Sequence, residues 1–392
     1  MSLPRLRINK RDQQRIRDGH LWVYSNEVDT KVTPLKAISG NLVDLEDYRG
    51  QFIATASFNA QSLICARIMS QTPIINLDTA FFTTRIEAAL AIRNQQFQQP
   101  FYRLVFAEGD FLPGLVVDRF NDIFVVQIST QAIENVKSEV VAALHNIFGQ
   151  DIRILFKHDG KGRHMEQLPE YNEHIGAAFE HIELVENGVQ FQTPFDGQKT
   201  GWFFDHRAGR QWLNECVSGK SVLDIFSYIG GWGIQAAKHG ASQVTCVDSS
   251  QKAIDQVSYN TALNQVSNVT AICADAFEYL KIKTDEQFDV VVLDPPALIQ
   301  KRRDFEQGRQ AYFVLNEQAL KRTKDGGILI SASCSLHMTS DELLKIVQQV
   351  ARRQQKQVQL IHQARPAADH PRLLSMPEAD YLKCFMFKVT SI

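Results

Sequence analysis

Four times between residues 221 and 294 an apolar run leads to an aspartate: "SVLD" at Asp224, "QVTCVD" at Asp248, "VTAICAD" at Asp275 and "FDVVVLD" at Asp294. Runs apolar at nearly every position, rather than at alternate ones, suit strands covered on both faces, as in a parallel sheet. A fifth run, "ILISASC", follows, and "VQLIHQAR" and "YLKCFMFKVT" supply two more strands. Helical stretches separate the early ones, such as "SQKAIDQVSYNTALNQ" with its cap at Ser249 or Ser250. The alternation predicts an α/β domain over 181–392, its sheet mostly parallel, with ligands at the carboxyl ends of the strands. "HIELVENGVQFQT" opens it as a hairpin turning at Asn187-Gly188.

Upstream the pattern changes. Residues 1–75 read as a small β module: "NLVDLEDYRGQFIATASF" alternates, turns at Arg49-Gly50 and resumes, and "LICARIM" is a further strand. Residues 76–180 read as a compact α+β region. Phe82, Ile86, Leu90 and Phe97 share a helix face, "LPGLVVDRFNDIFVVQIS" gives two strands, "IENVKSEVVAALHNIFG" one helix, and "KHDGKGRHMEQLPE" a loop. A chain of 392 residues exceeds one ordinary core, so several domains are expected. Its net charge of −2 advertises no nucleic-acid partner, although a local basic patch is compatible with it. The basic N-terminal start is no signal peptide, no run approaches a bilayer span, and no metal or membrane is expected. Six cysteines without paired spacing fit reduced thiols in a cytoplasm.

"LDIFSYIGGWGIQAA" is a strand, a glycine-rich turn and a helix start, where Gly230, Gly231 and Gly233 allow close approach of a ligand. Such a turn alone serves many ligands. Its neighbours narrow the choice. Asp248 is placed to accept both hydroxyls of a ribose and Asp275 to contact an adenine, beside Asp224, Phe226, Ser227, Tyr228, Ser249 and Ala276. Acidic strand ends suit a neutral or cationic nucleoside better than a pyrophosphate, which favours G-x-G-x-x-G and a free helix N-terminus. S-adenosylmethionine therefore fits better than a dinucleotide. Asp294 reaches the same edge, and Pro295 and Pro296 make a stiff exit there, suited to holding an acceptor base. Cys334 closes the next strand at that edge. Cys246, Cys273, Cys384 and Cys65 read as core residues, and Cys216 ends an amphipathic helix. Lys301, Arg302, Arg303 and Arg309 form either a solvated face or phosphate contacts. Lys10, Arg11, Arg15 and Arg17 give the N-terminal module a basic face. His337 is either a proton carrier or a loop residue, and Tyr312 and Asn316 share a packed helix face.

Together "KTGWFFDHR", "FSYIGGWGIQAA", "VDSSQKAI", "LDPPAL", "GGILISASCSLHMTSDEL" and "ADHPRLLSMPEADYLKCF" resemble the RlmI-like ribosomal RNA cytosine-C5 methyltransferases. "RIRDGHLWVYSNEV" resembles the start of that family's PUA domain and "EGDFLPGLVVDRF" its central domain. The resemblance implies a PUA-like module, a central α+β domain and a Rossmann-like methyltransferase domain with a seven-stranded sheet. It implies S-adenosylmethionine as cofactor and large-subunit (23S) ribosomal RNA as partner. Cys334 would be the nucleophile, Asp294 would contact both cofactor and base, and Pro295 and Pro296 would flank the substrate. Two segments depart from the family: Ala297 and Leu298 follow the prolines where a lysine and an aromatic are common, and a "DQR"-like segment reads Asp205-His206-Arg207. A uracil-C5 enzyme, an exocyclic-amine enzyme and an inactive RNA-binding relative stay open as alternatives, as does a homodimer.

Overall fold

The computed structural model describes residues 3–38, 41–195, 197 and 200–392, so Lys199 of "KTGWFFDHR" lies outside the described residues. The chain divides into two compact units. The first holds Met1–Ile182, Phe195–Trp202 and Ala368–Ala379; the second holds Glu183–Pro194, Phe203–Ala367 and Asp380–Ile392.

In the first unit, β1 (Arg5–Arg7), helix α1 (Gln13–Arg17), β2 (Trp22–Tyr24), β3 (Leu42–Glu46), β4 (Phe52–Phe58) and β5 (Ile64–Ser70) make a small module. Its sheet runs β1-β3-β4-β5-β2. The expected turn falls at Gly50, whose φ of +83° suits a residue without a Cβ. Leu6, Val23, Val43 and Ala56 are buried in its core, and Met376, from far downstream, joins them.

Helix α2 (Thr79–Gln96) follows, capped by Asp78, whose side chain accepts from the Phe81 N–H. It buries Phe82 and Ile86 as the period requires, but also Arg93. Beside it lies a sheet of β6 (Phe101–Phe106), β7 (Leu115–Phe120), β8 (Ile123–Ile128), β9 (Arg153–His158) and β10 (Tyr171–Ile175), in the order β10-β9-β8-β7-β6. The single helix expected after β8 is two, α3 (Gln131–Glu134) and α4 (Lys137–Phe148). Glu134 takes hydrogen bonds from Arg163 at 2.8 Å and from Tyr171 at 2.5 Å, distant contacts that no local period encodes. The expected loop after β9 contains the short helix α5 (Lys161–Met165), because Arg163 turns inward and is 2% exposed.

The hairpin of β11 (His181–Glu186) and β12 (Val189–Pro194) turns at Asn187-Gly188, both at positive φ. The second unit then alternates α6 (Arg207–Asn214), β13 (Ser221–Ile225), α7 (Gly233–Lys238), β14 (Gln243–Asp248), α8 (Gln251–Leu263), β15 (Val269–Cys273), α9 (Ala276–Lys281), β16 (Phe288–Leu293), α10 (Phe305–Lys321), β17 (Thr323–Ser333), α11 (Ser340–Arg353), β18 (Lys356–Ala364) and β19 (Lys383–Ser391). Its sheet has seven strands in the order β15-β14-β13-β16-β17-β19-β18. The first five are parallel, while β19 pairs antiparallel to β17 and to β18. The chain builds outward from β13 to β15 and then returns to β16 on the other side of β13. That reversal opens a crevice at the strand carboxyl ends, where open α/β sheets bind ligands.

One cysteine departs from expectation. Cys273 is exposed rather than core, because β15 is an edge strand covered on fewer sides. Cys216 lies just past α6, half-buried, with Sγ 3.4 Å from the Leu213 carbonyl oxygen. Cys65, Cys246 and Cys384 are fully buried. Among the described residues no helix is long and apolar enough to cross a membrane.

Candidate active site

The loop after β13 is forced into an unusual path. Phe226 and Tyr228 have φ values of 65° and 48°, and Gly230 has 85°. Left-handed backbone at two bulky residues is costly and concentrates where close contact with a ligand repays it. Asp224 holds the loop from beneath: it is fully buried, and its Oδ2 accepts from the Gly233 N–H at 2.9 Å. Burial, with Asp294 and Asp248 nearby, pushes the Asp224 carboxyl up to about 7 against the pull of that hydrogen bond. A Cβ at Gly233 would run into Cys246 Sγ and Val244, so glycine is needed for α7 to lie against β14.

Asp248 sits at the end of β14, half-exposed. Its Oδ2 accepts from the Tyr228 N–H and its Oδ1 from the Ser250 N–H, both at 2.9 Å. Each oxygen thus keeps a lone pair for a further donor. Asp275 is exposed, and its Oδ1 takes the Glu278 N–H at 3.0 Å as the cap of α9; Ala276 behind it is buried. The cap of α8 is Ser250, while Ser249 is exposed.

Asp294 follows β16 across the switch point. Its Oδ1 lies 3.1 Å from His206 Nε2, and its Oδ2 accepts from Trp232 Nε1 at 3.1 Å. Burial opposes its charge, but His206 and Trp232 outweigh burial and hold the carboxyl below the usual range. The same pairing, against burial, lifts His206 well above the usual histidine value. The two make an imidazolium–carboxylate pair, His206 being 5% exposed. Asp205 beside it accepts from the Tyr381 hydroxyl at 2.6 Å.

Cys334 comes directly after β17 on the same edge of the sheet, with Sγ 3.9 Å from the Pro295 carbonyl oxygen. The flanking hydroxyls are built in. Ser333 Oγ donates to the Tyr312 hydroxyl at 2.8 Å, and that hydroxyl lies 3.0 Å from Ser335 Oγ. Ser335 Oγ also accepts from the Ile299 N–H at 3.1 Å, fastening the proline loop to the cysteine turn. Pro295 is buried and Pro296 exposed.

The strand ends therefore bring together the glycine loop, Asp248, Asp294 and Cys334. Lys301, Arg302 and Arg303 are exposed, with Arg303 3.6 Å from Asp304. Arg309 is instead tied to Glu342 at 3.2 Å and Gln349 at 3.4 Å, bridging α10 and α11. In the N-terminal module Arg15 grips both oxygens of Glu27 at 2.6 Å and Arg17 pairs with Asp47 at 2.9 Å. Lys10, Arg11 and Arg17 are exposed, Arg11 pairing with Asp12 at 3.2 Å, whereas Arg15 is half-buried. Sequence reasoning did not assign His206, Trp232 or Lys383 to the site. A charged residue inside the apolar run of β19 was the available signal for Lys383.

A nucleoside cofactor fits this pocket by its donors. Among the described residues Ser227 Oγ and Asp224 Oδ1 are buried without hydrogen-bond partners, and Asp248 has capacity to spare. A parallel sheet with a strained glycine loop, an acidic second strand end and an Asp-Pro-Pro at the switch point defines a Rossmann-like methyltransferase. The comparisons agree. A family model described as S-adenosylmethionine-dependent methyltransferase matches residues 125–378, and one described as PUA-like domain matches 6–71. Ribosomal RNA large subunit methyltransferase I of Escherichia coli (strain SMS-3-5 / SECEC) is 33% identical over 400 residues, covering 98% of this chain and 99% of the relative. Its namesake from Klebsiella pneumoniae (strain 342) is 33% identical over 399 residues, covering 98% of each. The crystal structure of SMU.776, complexed with SAH, superimposes with a TM-score of 0.85 at 21% identity, covering 98% of this chain and all of that one, and shows the same fold. The chain belongs to the PUA-containing S-adenosylmethionine-dependent methyltransferases of the ribosomal RNA large subunit methyltransferase I family. Its cofactor is S-adenosylmethionine.

Proposed function

We propose that the chain methylates C5 of a cytosine in large-subunit ribosomal RNA, in the cytoplasm, through a covalent adduct on Cys334. The observation that carries this is a cysteine thiol placed against the Asp-Pro-Pro loop at the cofactor edge of the sheet. C5 of a pyrimidine is a poor nucleophile. Addition of the Cys334 thiolate at C6 makes C5 enamine-like, and elimination of the thiolate after loss of the C5 proton restores the ring. S-adenosylmethionine, when bound, supplies an electrophilic methyl group for the activated carbon. Residues 224–233 with Asp248 would hold it, the carboxylate of Asp248 accepting from the ribose hydroxyls.

Asp294 is held ionised by His206 and oriented by Trp232, so toward a base it is an acceptor only. That suits cytosine, which offers an amine donor and, as charge develops, a protonated N3. The exposed Lys301 and Arg302 supply phosphate contacts, and residues 1–75 are the RNA-binding module, with Lys10 and Arg11 outward.

The test uses Cys334→Ala and a substrate RNA containing 5-fluorocytidine, which has no C5 proton to lose. Wild type should form 5-methylcytidine in ordinary RNA and a covalent complex with the fluorinated one. Cys334→Ala should do neither while binding S-adenosylmethionine normally. Methyl transfer by Cys334→Ala would exclude the adduct, and 5-methyluridine as product would exclude cytosine.

A further inference from the structure

Lys383 opens β19 in register with Ser333 of β17, the residue before Cys334. Its side chain is nearly sealed from solvent, with 4% of the residue exposed. Nζ donates to the Ser335 carbonyl oxygen at 2.7 Å and to the Tyr381 carbonyl oxygen at 2.8 Å. Cys334 is thus framed by Lys383's strand partner on one side and its hydrogen-bond acceptor on the other. Both acceptors are neutral dipoles, and among the described residues no carboxylate lies within ion-pair distance of this ammonium. A buried cation with only carbonyls for company is an expensive arrangement, which an adjacent anion would relieve.

Other groups also surround the thiol. From α10 comes Tyr312, whose hydroxyl is bonded to Ser333 and Ser335 and which burial keeps neutral. From the loop after β16 come the Pro295 carbonyl and, behind it, Asp294, whose charge is matched by His206. Asp380, just before β19, acts on Lys383 through space. Burial pushes the Lys383 amine down to about 8, and Asp380 and Cys334 pull the other way. The ammonium form still predominates at neutral pH.

We propose that Lys383 is a positioning residue for Cys334, its ammonium fixing the turn that carries the thiol and supplying the positive charge that favours the thiolate. The thiol proton passes to solvent, the sulfur lone pair forms the bond to C6, and Lys383 stays protonated throughout. The inference rests on the reading of Cys334 as nucleophile and adds a source of its activation.

The experiment measures alkylation of Cys334 by iodoacetamide between pH 6 and 10, in the full chain carrying Cys273→Ser, because Cys273 is exposed and would compete. Peptide mass spectrometry separates Cys334 from half-buried Cys216. The parent should show an apparent pKa below the ordinary thiol value of about 8.5. Lys383→Met should raise it and slow alkylation near neutral pH about tenfold, the equivalent of one unit, while Lys383→Arg should restore the parent profile. A Lys383→Met profile that superimposes on the parent's would overturn the proposal, and a Lys383→Arg profile like that of Lys383→Met would reduce the residue to a strut. Should Lys383→Met not melt cooperatively, the parent decides alone: an apparent pKa at or above about 8.5 excludes activation. Thiol acidity is read here without methyl transfer, so activity surviving in Cys334→Ala would sink the nucleophile reading and leave this result standing.

Discussion

Arg93 and Asp248 are both charged, both multiply hydrogen-bonded, and lie in different units; they end with opposite capacities. All five guanidinium donors of Arg93 are engaged: Asp110 takes two at 2.7 Å, and the carbonyls of Arg103, Asp369 and Ala89 take the rest. Asp248 has each oxygen engaged once and remains half-exposed. A saturated buried charge is architecture, whereas an unsaturated one at a strand end is a docking point. A similar contrast divides Arg15, held by Glu27 and the Trp22 carbonyl, from the exposed Lys301 and Arg302 on the proline loop.

The sharpest way to break the comparison is Arg93→Met. Removing the guanidinium leaves Asp110 buried without its cation, which costs about 3–5 kcal/mol; urea unfolding should show it, and a loss below about 1 kcal/mol would mean that saturation does not mark architecture. Asp248→Ala should behave in the opposite sense. It gives up charge-assisted hydrogen bonds worth about 1.5–3 kcal/mol, so S-adenosylmethionine should bind about tenfold weaker or worse by calorimetry. Unfolding should stay close to wild type, and unchanged cofactor affinity would remove Asp248 from the site.

A smaller effect tests the His206–Asp294 pair, where the two behaviours meet. His206 is raised, so its contribution is complete below the ordinary histidine value of about 6.5 and is lost as pH rises through the raised value. Asp294 is lowered, so its contribution is present above its ordinary value and is lost as pH falls through the lowered one. Stability should therefore decline on the alkaline side, and His206→Gln should flatten that decline in urea unfolding from pH 6 to 9. Parallel curves would show that the pair does not form. Smallest of all, Lys301→Ala and Arg302→Ala should each lower the slope of log affinity for ribosomal RNA against log salt by about one. Arg17→Ala should leave that slope unchanged, because Asp47 already holds the guanidinium.

The second unit was the more legible in sequence, and the reason is physical. Buried parallel strands must be apolar throughout, so β13, β14, β16 and β17 stand out in the residue string, and their closing residues mark one edge of the sheet. The hairpin was legible because Asn187-Gly188 supplies two positive φ values. What escaped were features set by distant partners. Glu134 ends a helix early because Arg163 and Tyr171 reach it, and Arg163 makes a polar segment helical by turning inward. Cys273 looked like core because a sequence does not say which strand lies at the edge. His206 and Lys383 escaped for the same reason, since their meaning comes from Asp294 and Ser335 and not from their neighbours in the chain.

The segment Ala368–Ala379 is where this dependence on distant residues acquires a duration. The first unit needs it: the Asp369 carbonyl accepts from Arg93, and Met376 is 1% exposed in the core of the N-terminal module. A ribosome finishes residue 182 and must then make everything up to 368 before that segment exists. At about 5–20 residues per second this is a wait of roughly ten to forty seconds. During synthesis the nascent N-terminal module carries an open slot where Met376 will sit, and it can close only when the chain is nearly complete.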